Sequence, residues 1–271
     1  MEQEAVSALL EHVAELAPAE ELVGFGVRYL REPRKDGGDY RGLGSFHWCP
    51  PTEVLDAIES YTEAVGSDEW AEQWHWVHEV CGGPKRCATH RYLHGLRVPG
   101  ALLMRLVTCS TVPANGGGTL DELSSVLGLP IDLDIAERRA GDSRRYCPTV
   151  GAGRAFLERF APTVTLDAGG GLVAVWMFDR PADPHAARQL GRDLHDAIER
   201  AAREHGWVFD SPTPYAAWVK VPGVTDEFRR HVTTEIATGR RWSFPELRAA
   251  VPASPVRRHR SWHYAPQEIA S

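Results

Sequence analysis

Asp132 and Asp134, spaced by one residue in Leu-Pro-Ile-Asp-Leu-Asp-Ile, are the first place where residue type and spacing point to chemistry. In a strand, residues two apart share a face, so both carboxylates would stand over one site while Ile131, Leu133 and Ile135 pack behind them. Two like charges on a strand buried at its back are costly unless a cation neutralises them. Hard oxygen donors of this kind suit Mg²⁺ or Mn²⁺. The plain alternative is a pair on a solvated strand end. Asp210 closes the short run Trp207 to Phe209, and a strand there, beside that of Asp132, would bring in a third carboxylate. Three such groups are what a two-metal phosphoryl-transfer centre needs, with ions roughly 4 Å apart. Asp210 could equally cap the Ser-Pro-Thr-Pro turn that follows it.

A second constellation is Cys81, Cys87, His90 and His94, in the pattern C-x5-C-x2-H-x3-H. Four N/S ligands this close could hold a structural Zn²⁺, although the spacing fits no standard finger. A polar loop with two free thiols is the alternative. Lys85, Arg86 and Arg91 lie in the same stretch and would suit contact with a nucleic-acid backbone. Arg138, Arg139, Arg144 and Arg145 follow the aspartates, either to meet a template or triphosphate or as a solvated loop. Cys109 and Cys147 have no His-Asp order around them, and no Gly-x-Ser-x-Gly or Walker A sequence occurs. Acyl transfer and P-loop ATP hydrolysis therefore drop out.

The elements that must position these groups follow from periodicity. Val6, Leu9, Leu10, Val13 and Leu16 predict a helix over 2–17, followed by a β run from Leu22 to Leu30, a turn-rich stretch 32–44 and a short run 45–48. Pro50 and Pro51 open a helix to about residue 64. Tryptophans 70, 74 and 76 read as a buried patch, since no Lys or Arg interleaves them. Beyond residue 100 the pattern predicts a strand over 102–112, a helix around 120–127 and a strand over 129–135. A helix over 149–160 and a hairpin of 163–166 with 172–178 about Gly169-Gly170-Gly171 come next. Asp183 caps a long helix from Pro184 to about His205, and short strands follow at 207–210 and 217–221. The class is α+β, with a β-helix-β-β-helix-β sheet of the ferredoxin-like or RNA-recognition (RRM) layout. Boundaries are expected at an N-terminal α/β module over 1–98, an RRM-like catalytic module over 99–251 and a basic tail over 252–271.

Composition narrows the classes. The 271 residues are 43% hydrophobic and 25% charged, enough for a substantial core. No apolar run reaches the roughly eighteen residues of a membrane span, and the N-terminal stretch is acidic and helix-patterned rather than signal-like. Five cysteines are an odd number for a disulfide framework, so a reducing cytoplasm is expected. The net charge of −7 argues against a surface that grips nucleic acid all round. Residues 226–271 nevertheless carry eight Lys/Arg against five Asp/Glu, a basic end on an acidic body.

Four segments, in order, resemble the archaeo-eukaryotic primase (AEP) superfamily, above all the primase-polymerases of plasmids, phages and integrative elements. They are Gly118-Thr-Leu-Asp-Glu-Leu, Leu129-Pro-Ile-Asp-Leu-Asp-Ile, Leu166-Asp-Ala-Gly-Gly-Gly-Leu-Val-Ala-Val-Trp, and Phe209-Asp210 followed by Val219-Lys-Val-Pro-Gly-Val-Thr. The similarity spans roughly residues 100–225 and implies an AEP-like core packed on the N-terminal module. It also implies that Asp132, Asp134 and Asp210 hold the catalytic Mg²⁺ or Mn²⁺. The hairpin departs from the family pattern: Ala168 replaces a serine, and Gly170 or Val173 a histidine, that contact the nucleotide phosphates in relatives. Backbone amides of Gly169, Gly170 and Gly171 remain as phosphate donors, and Lys220 stands where relatives carry an arginine, a point charge for the triphosphate or a strand-edge lysine.

The resemblance implies metal-dependent addition of nucleotides to a 3′-hydroxyl on a DNA template, with nucleoside triphosphates and single-stranded or primed DNA as partners and unwinding from a separate helicase. Two alternatives stay open: the same chemistry on small nucleotides without a template, and a noncatalytic domain that binds single-stranded nucleic acid.

Overall fold

The computed structural model describes residues 2–33, 39–56, 58–59, 99–114, 118–138, 144–209, 211, 217–224 and 232–253. The first helix, α1 (Glu2–Leu16), buries Leu9, Leu10, Val13 and Leu16, whose spacing lines one side of it, and stops before Pro18. The strands β1 (Leu22–Pro33) and β2 (Asp39–Cys49) form an antiparallel ribbon. The second of these is longer than the run 45–48, because pairing with β1 continues through Gly42 and Arg41. At Gly24 an added Cβ would lie 2.7 Å from the Trp48 ring, so the glycine lets that indole lie against the ribbon.

Next come β3 (Pro99–Cys109), β4 (Ser125–Asp134), α2 (Val150–Glu158), β5 (Val164–Asp167) and β6 (Gly171–Ala182). The long helix α3 (Pro184–Glu204) starts where expected, with Asp183 Oδ1 accepting from the Ala186 N–H. The chain then passes through β7 (Trp218–Lys220), β8 (Thr233–Ala237) and α4 (Phe244–Ala250). One eight-stranded antiparallel sheet runs β2-β1-β3-β4-β6-β5-β8, with β7 paired to β3 off this path. The structure is thus mixed α and β, and β4, α2, β5, β6 and α3 follow the expected β-helix-β-β-helix order.

Two local expectations change. The helix around 120–127 is one 3-10 turn, Leu120–Glu122, closed by the reciprocal Thr119 and Glu122 capping box. Ser125 and Val126 are drawn instead into β4 by pairing with Thr108 and Val107. Residues 207–209 carry no strand; the chain leaves α3 with the Trp207 N–H on the Ala202 carbonyl and the Val208 N–H on the Arg145 carbonyl.

The sheet is packed on both faces. Leu129, Ile131 and Leu133 of β4 join Trp176 of β6 in a core closed by α2 and α3, whereas Val173, Val175 and Met177 share the other core with α1 and β1–β3. Among the described residues, no helix is long and apolar enough to cross a membrane.

Near the sheet edge, Arg241 donates from Nε to His12 Nδ1 at 3.1 Å and also bonds Glu15. Burial, and then the Arg241 charge, hold the His12 pKa below its ordinary 6.5, with Glu15 and Glu11 opposing. The unfolded chain therefore binds this proton more readily, so stability falls as pH drops below about 6.5 towards the depressed folded value. The His12→Gln variant is expected to lose less stability than the parent between pH 7 and 5, read from urea midpoints.

Candidate active site

The expected shared face on β4 is present. Ile131, Leu133 and Ile135 are fully buried against the α2 and α3 side, while Asp132 and Asp134 alternate to the opposite face. Asp132 is half-buried and Asp134 is 9% exposed. In the register with β6, Asp132 stands opposite Val173 and Asp134 opposite Gly171, so both lie at the end of the sheet where the β5–β6 hairpin turns. As a donor set, two carboxylates on one strand face fit a hard divalent cation.

Hairpin geometry follows from Asp167 and the glycines. Gly169 has φ +79°, the left-handed region that a primed hairpin turn favours and that glycine enters without strain. Its N–H donates to Asp167 Oδ1 at 2.8 Å, an Asx turn, so this amide is already engaged within the hairpin. Arg138 locks the same carboxylate from the other side: Nη1 and Nη2 reach Asp167 Oδ1 and Oδ2 at 2.5 and 2.7 Å, and Nη1 reaches the Gly169 carbonyl at 3.3 Å. The guanidinium is thus a structural partner of the hairpin rather than part of a solvated loop. Around Gly170 the space is open, with nothing within 4 Å of an added Cβ.

Gly171 is the opposite case. A Cβ there would lie 2.4 Å from the Leu133 carbonyl oxygen, a backbone atom that cannot swing aside. The Gly171→Ala variant should therefore force β6 away from β4 beside Asp134. We expect a loss of about 1–3 kcal/mol in urea unfolding.

Lys220 reaches this end from β7. Its Nζ donates to the Ala168 carbonyl at 3.0 Å, which brings the lysine to the glycine hairpin across 52 residues of sequence. Ala168 and Val173 are both buried in the apolar cluster that includes Met177.

The third carboxylate, Asp210, lies outside the described residues, as do Cys81, Cys87, His90 and His94. The residues on either side of position 210 are described. Phe209 packs on the His195 ring, centroids 5.0 Å apart, and Ser211 Oγ accepts the Asp132 backbone N–H at 3.0 Å. His195 and Ser211 were not foreseen from the sequence, because a lone histidine within an amphipathic helix and a serine in a turn carry no spacing signal.

The buried thiols take no part in such chemistry. Desolvation pushes Cys49, Cys109 and Cys147 up to about 11, so they stay protonated at neutral pH and are poor nucleophiles.

No family model matches the chain, and no curated protein does. Among solved structures it is similar to the AEP domain of the cyanophage S-2L primase-polymerase, at 14% identity and a TM-score of 0.45, covering 92% of this chain and 98% of that one. It is also similar to the catalytic domain of primase RepB′ in complex with initiator DNA, at 11% identity and a TM-score of 0.41, covering 91% and 92% of the two chains. Primase RepB′ itself aligns at 10% identity and a TM-score of 0.43, over 92% of this chain and 62% of that one.

Proposed function

We propose that this protein is a primase-polymerase-like nucleotidyltransferase that adds nucleotides to a 3′-hydroxyl on a DNA template. The observation that carries the reading is the placement of Asp132 and Asp134 on one face of β4, at the sheet end where the glycine hairpin and Lys220 meet. We assign Asp132, Asp134 and Asp210 as the carboxylates for Mg²⁺ or Mn²⁺, with Asp210 next in the chain to Ser211, whose hydroxyl touches the Asp132 amide. A divalent ion bound there supplies charge neutralisation for the triphosphate and lowers the pKa of the attacking hydroxyl.

The chain's own groups do the rest by positioning and electrostatics, without a covalent intermediate. Lys220 offers a point charge at the hairpin for the triphosphate. Gly170 leaves room for a phosphate to approach the turn, with its amide as a donor, whereas the Gly169 amide is held by Asp167. Arg138 keeps the turn in shape through the same aspartate.

Ala168, with Gly170 or Val173, favours a second reading, a nucleic-acid-binding domain without catalysis, because the resemblance implies that a serine and a histidine for the nucleotide phosphates are replaced at these positions. One experiment separates these readings: incubation of the full chain with Mn²⁺ and nucleoside triphosphates, with a primed DNA template and without DNA. Template-dependent extension supports the proposal. Products formed equally without DNA point to small-nucleotide chemistry, and retention of single-stranded DNA with no product in either arm supports the noncatalytic reading.

A further inference from the structure

Among the described residues, no strand lies beyond Val126 on the edge of β4 that faces away from β6, since β3 pairs with β4 at Ser125 and Val126 and then with β7 at Leu103, Met104 and Arg105. The Asp132 N–H lies on that edge, and a backbone donor beside a half-buried strand needs an acceptor. Ser211 supplies it, through Oγ at 3.0 Å. Ser211 itself belongs to no strand, so its own place must be held from elsewhere.

The holder is α3. His195 Nε2 lies 3.1 Å from the Ser211 carbonyl, and a carbonyl can accept only, so Nε2 carries the hydrogen. The imidazole ring also packs on Phe209, and Nδ1 lies 3.4 Å from Asp196 Oδ1. The helix behind it buries Leu190, Leu194 and Ile198 in the core, which makes it a firm anchor. An imidazole, a peptide carbonyl, a hydroxyl and an amide thus run in line from α3 to the backbone of the first aspartate.

We propose that His195 is a positioning residue for Asp132, acting through Ser211, and that this link tunes the affinity of the site for a divalent cation. The inference rests on the reading of Asp132 as a metal ligand. Outer partners of metal-ligating groups commonly cost about 10-fold or more in metal affinity when lost, and here the hold is on the backbone amide of the ligand's own residue. Nothing in the arrangement requires His195 to touch the ion. Its neighbour Glu199 is engaged with Arg203 at 2.5 Å, so His195, Asp196 and Glu199 are better explained as a helix surface than as a cation site of their own.

The test is Mn²⁺ titration by calorimetry on the full chain, paired with amide hydrogen exchange at Asp132 and a melting temperature for each variant. His195→Leu and Ser211→Ala should each weaken Mn²⁺ binding about 10-fold and speed exchange of the Asp132 amide, with melting temperatures close to the parent's. His195→Gln, which keeps an N–H donor, and Ser211→Thr, which keeps the hydroxyl, should retain most of the affinity, and Asp196→Asn should leave it unchanged. If Asp132→Asn abolishes binding while His195→Leu changes neither affinity nor exchange, the positioning role is overturned and the metal site stands. If Asp196→Asn weakens binding as much as His195→Leu does while exchange of the Asp132 amide is unchanged in both, the ion sits on the helix and the positioning role is likewise overturned. A parent protein that binds no Mn²⁺ overturns both the metal site and the role built on it.

Discussion

Replacing Asp132 with asparagine should lower template-dependent nucleotide addition by about 10²–10³-fold while the protein stays folded. The substitution keeps the side-chain volume and leaves the backbone N–H on Ser211, so the β4 edge is undisturbed. What it removes is one negative charge from a face that carries two, and with it much of the attraction for a divalent ion. The stability measurement sharpens the prediction. With Mn²⁺ at a hundred times its dissociation constant, the parent should gain about 2.7 kcal/mol by mass action and the variant far less. Equal activity in Asp132→Asn and the parent would remove this strand from the chemistry.

The second large effect is on the core. Trp176→Ala should cost about 3–5 kcal/mol, read as a shift in the urea midpoint. Trp176 is fully buried in the middle of β6, opposite Leu129, within the cluster that joins the sheet to α2 and α3. Its Nε1 donates to the Phe160 carbonyl at 2.8 Å, which fastens the end of α2 to the sheet. The alanine leaves a cavity and also deprives that carbonyl of its partner, and both terms act in one direction. Trp176→Phe separates them: most of the volume stays and the donor is lost, so about 1–3 kcal/mol is expected. Against the 5–15 kcal/mol typical of a folded domain, the alanine variant gives up a large fraction of its stability. A shift below about 1 kcal/mol would mean that α2 and the sheet do not unfold together.

How far the sequence could be read depended on the range of each interaction. The common face of Asp132 and Asp134 follows from a period of two residues, a property of the strand itself, and the structure keeps it. The start of α3 was equally legible, because Asp183 and Pro184 act within one turn. So was the hairpin at Gly169 and Gly170, a local choice of turn. The engagement of the Gly169 amide by Asp167, two residues before it, is equally local, but the sequence reading offers that amide to a phosphate instead. The helix expected around 120–127 failed for a reason of range: its leucines suited a helix, but pairing with β3 across the sheet outweighed local preference.

What tertiary structure alone decided is which distant groups meet at this end of the sheet. Lys220 reaches Ala168, Arg138 reaches Asp167 and Ser211 reaches Asp132 across separations of 52, 29 and 79 residues. None of these leaves a periodic trace, because a side-chain hydrogen bond between remote segments is set by where the strands part and where a helix ends, not by the residues next to it. The candidate ligands at this sheet end were therefore legible as a few residue types in order. The grip on it, from α3 through Ser211 and from Arg138 through the hairpin, arose only once β3 had turned away from β4 and left an edge for the chain to fill.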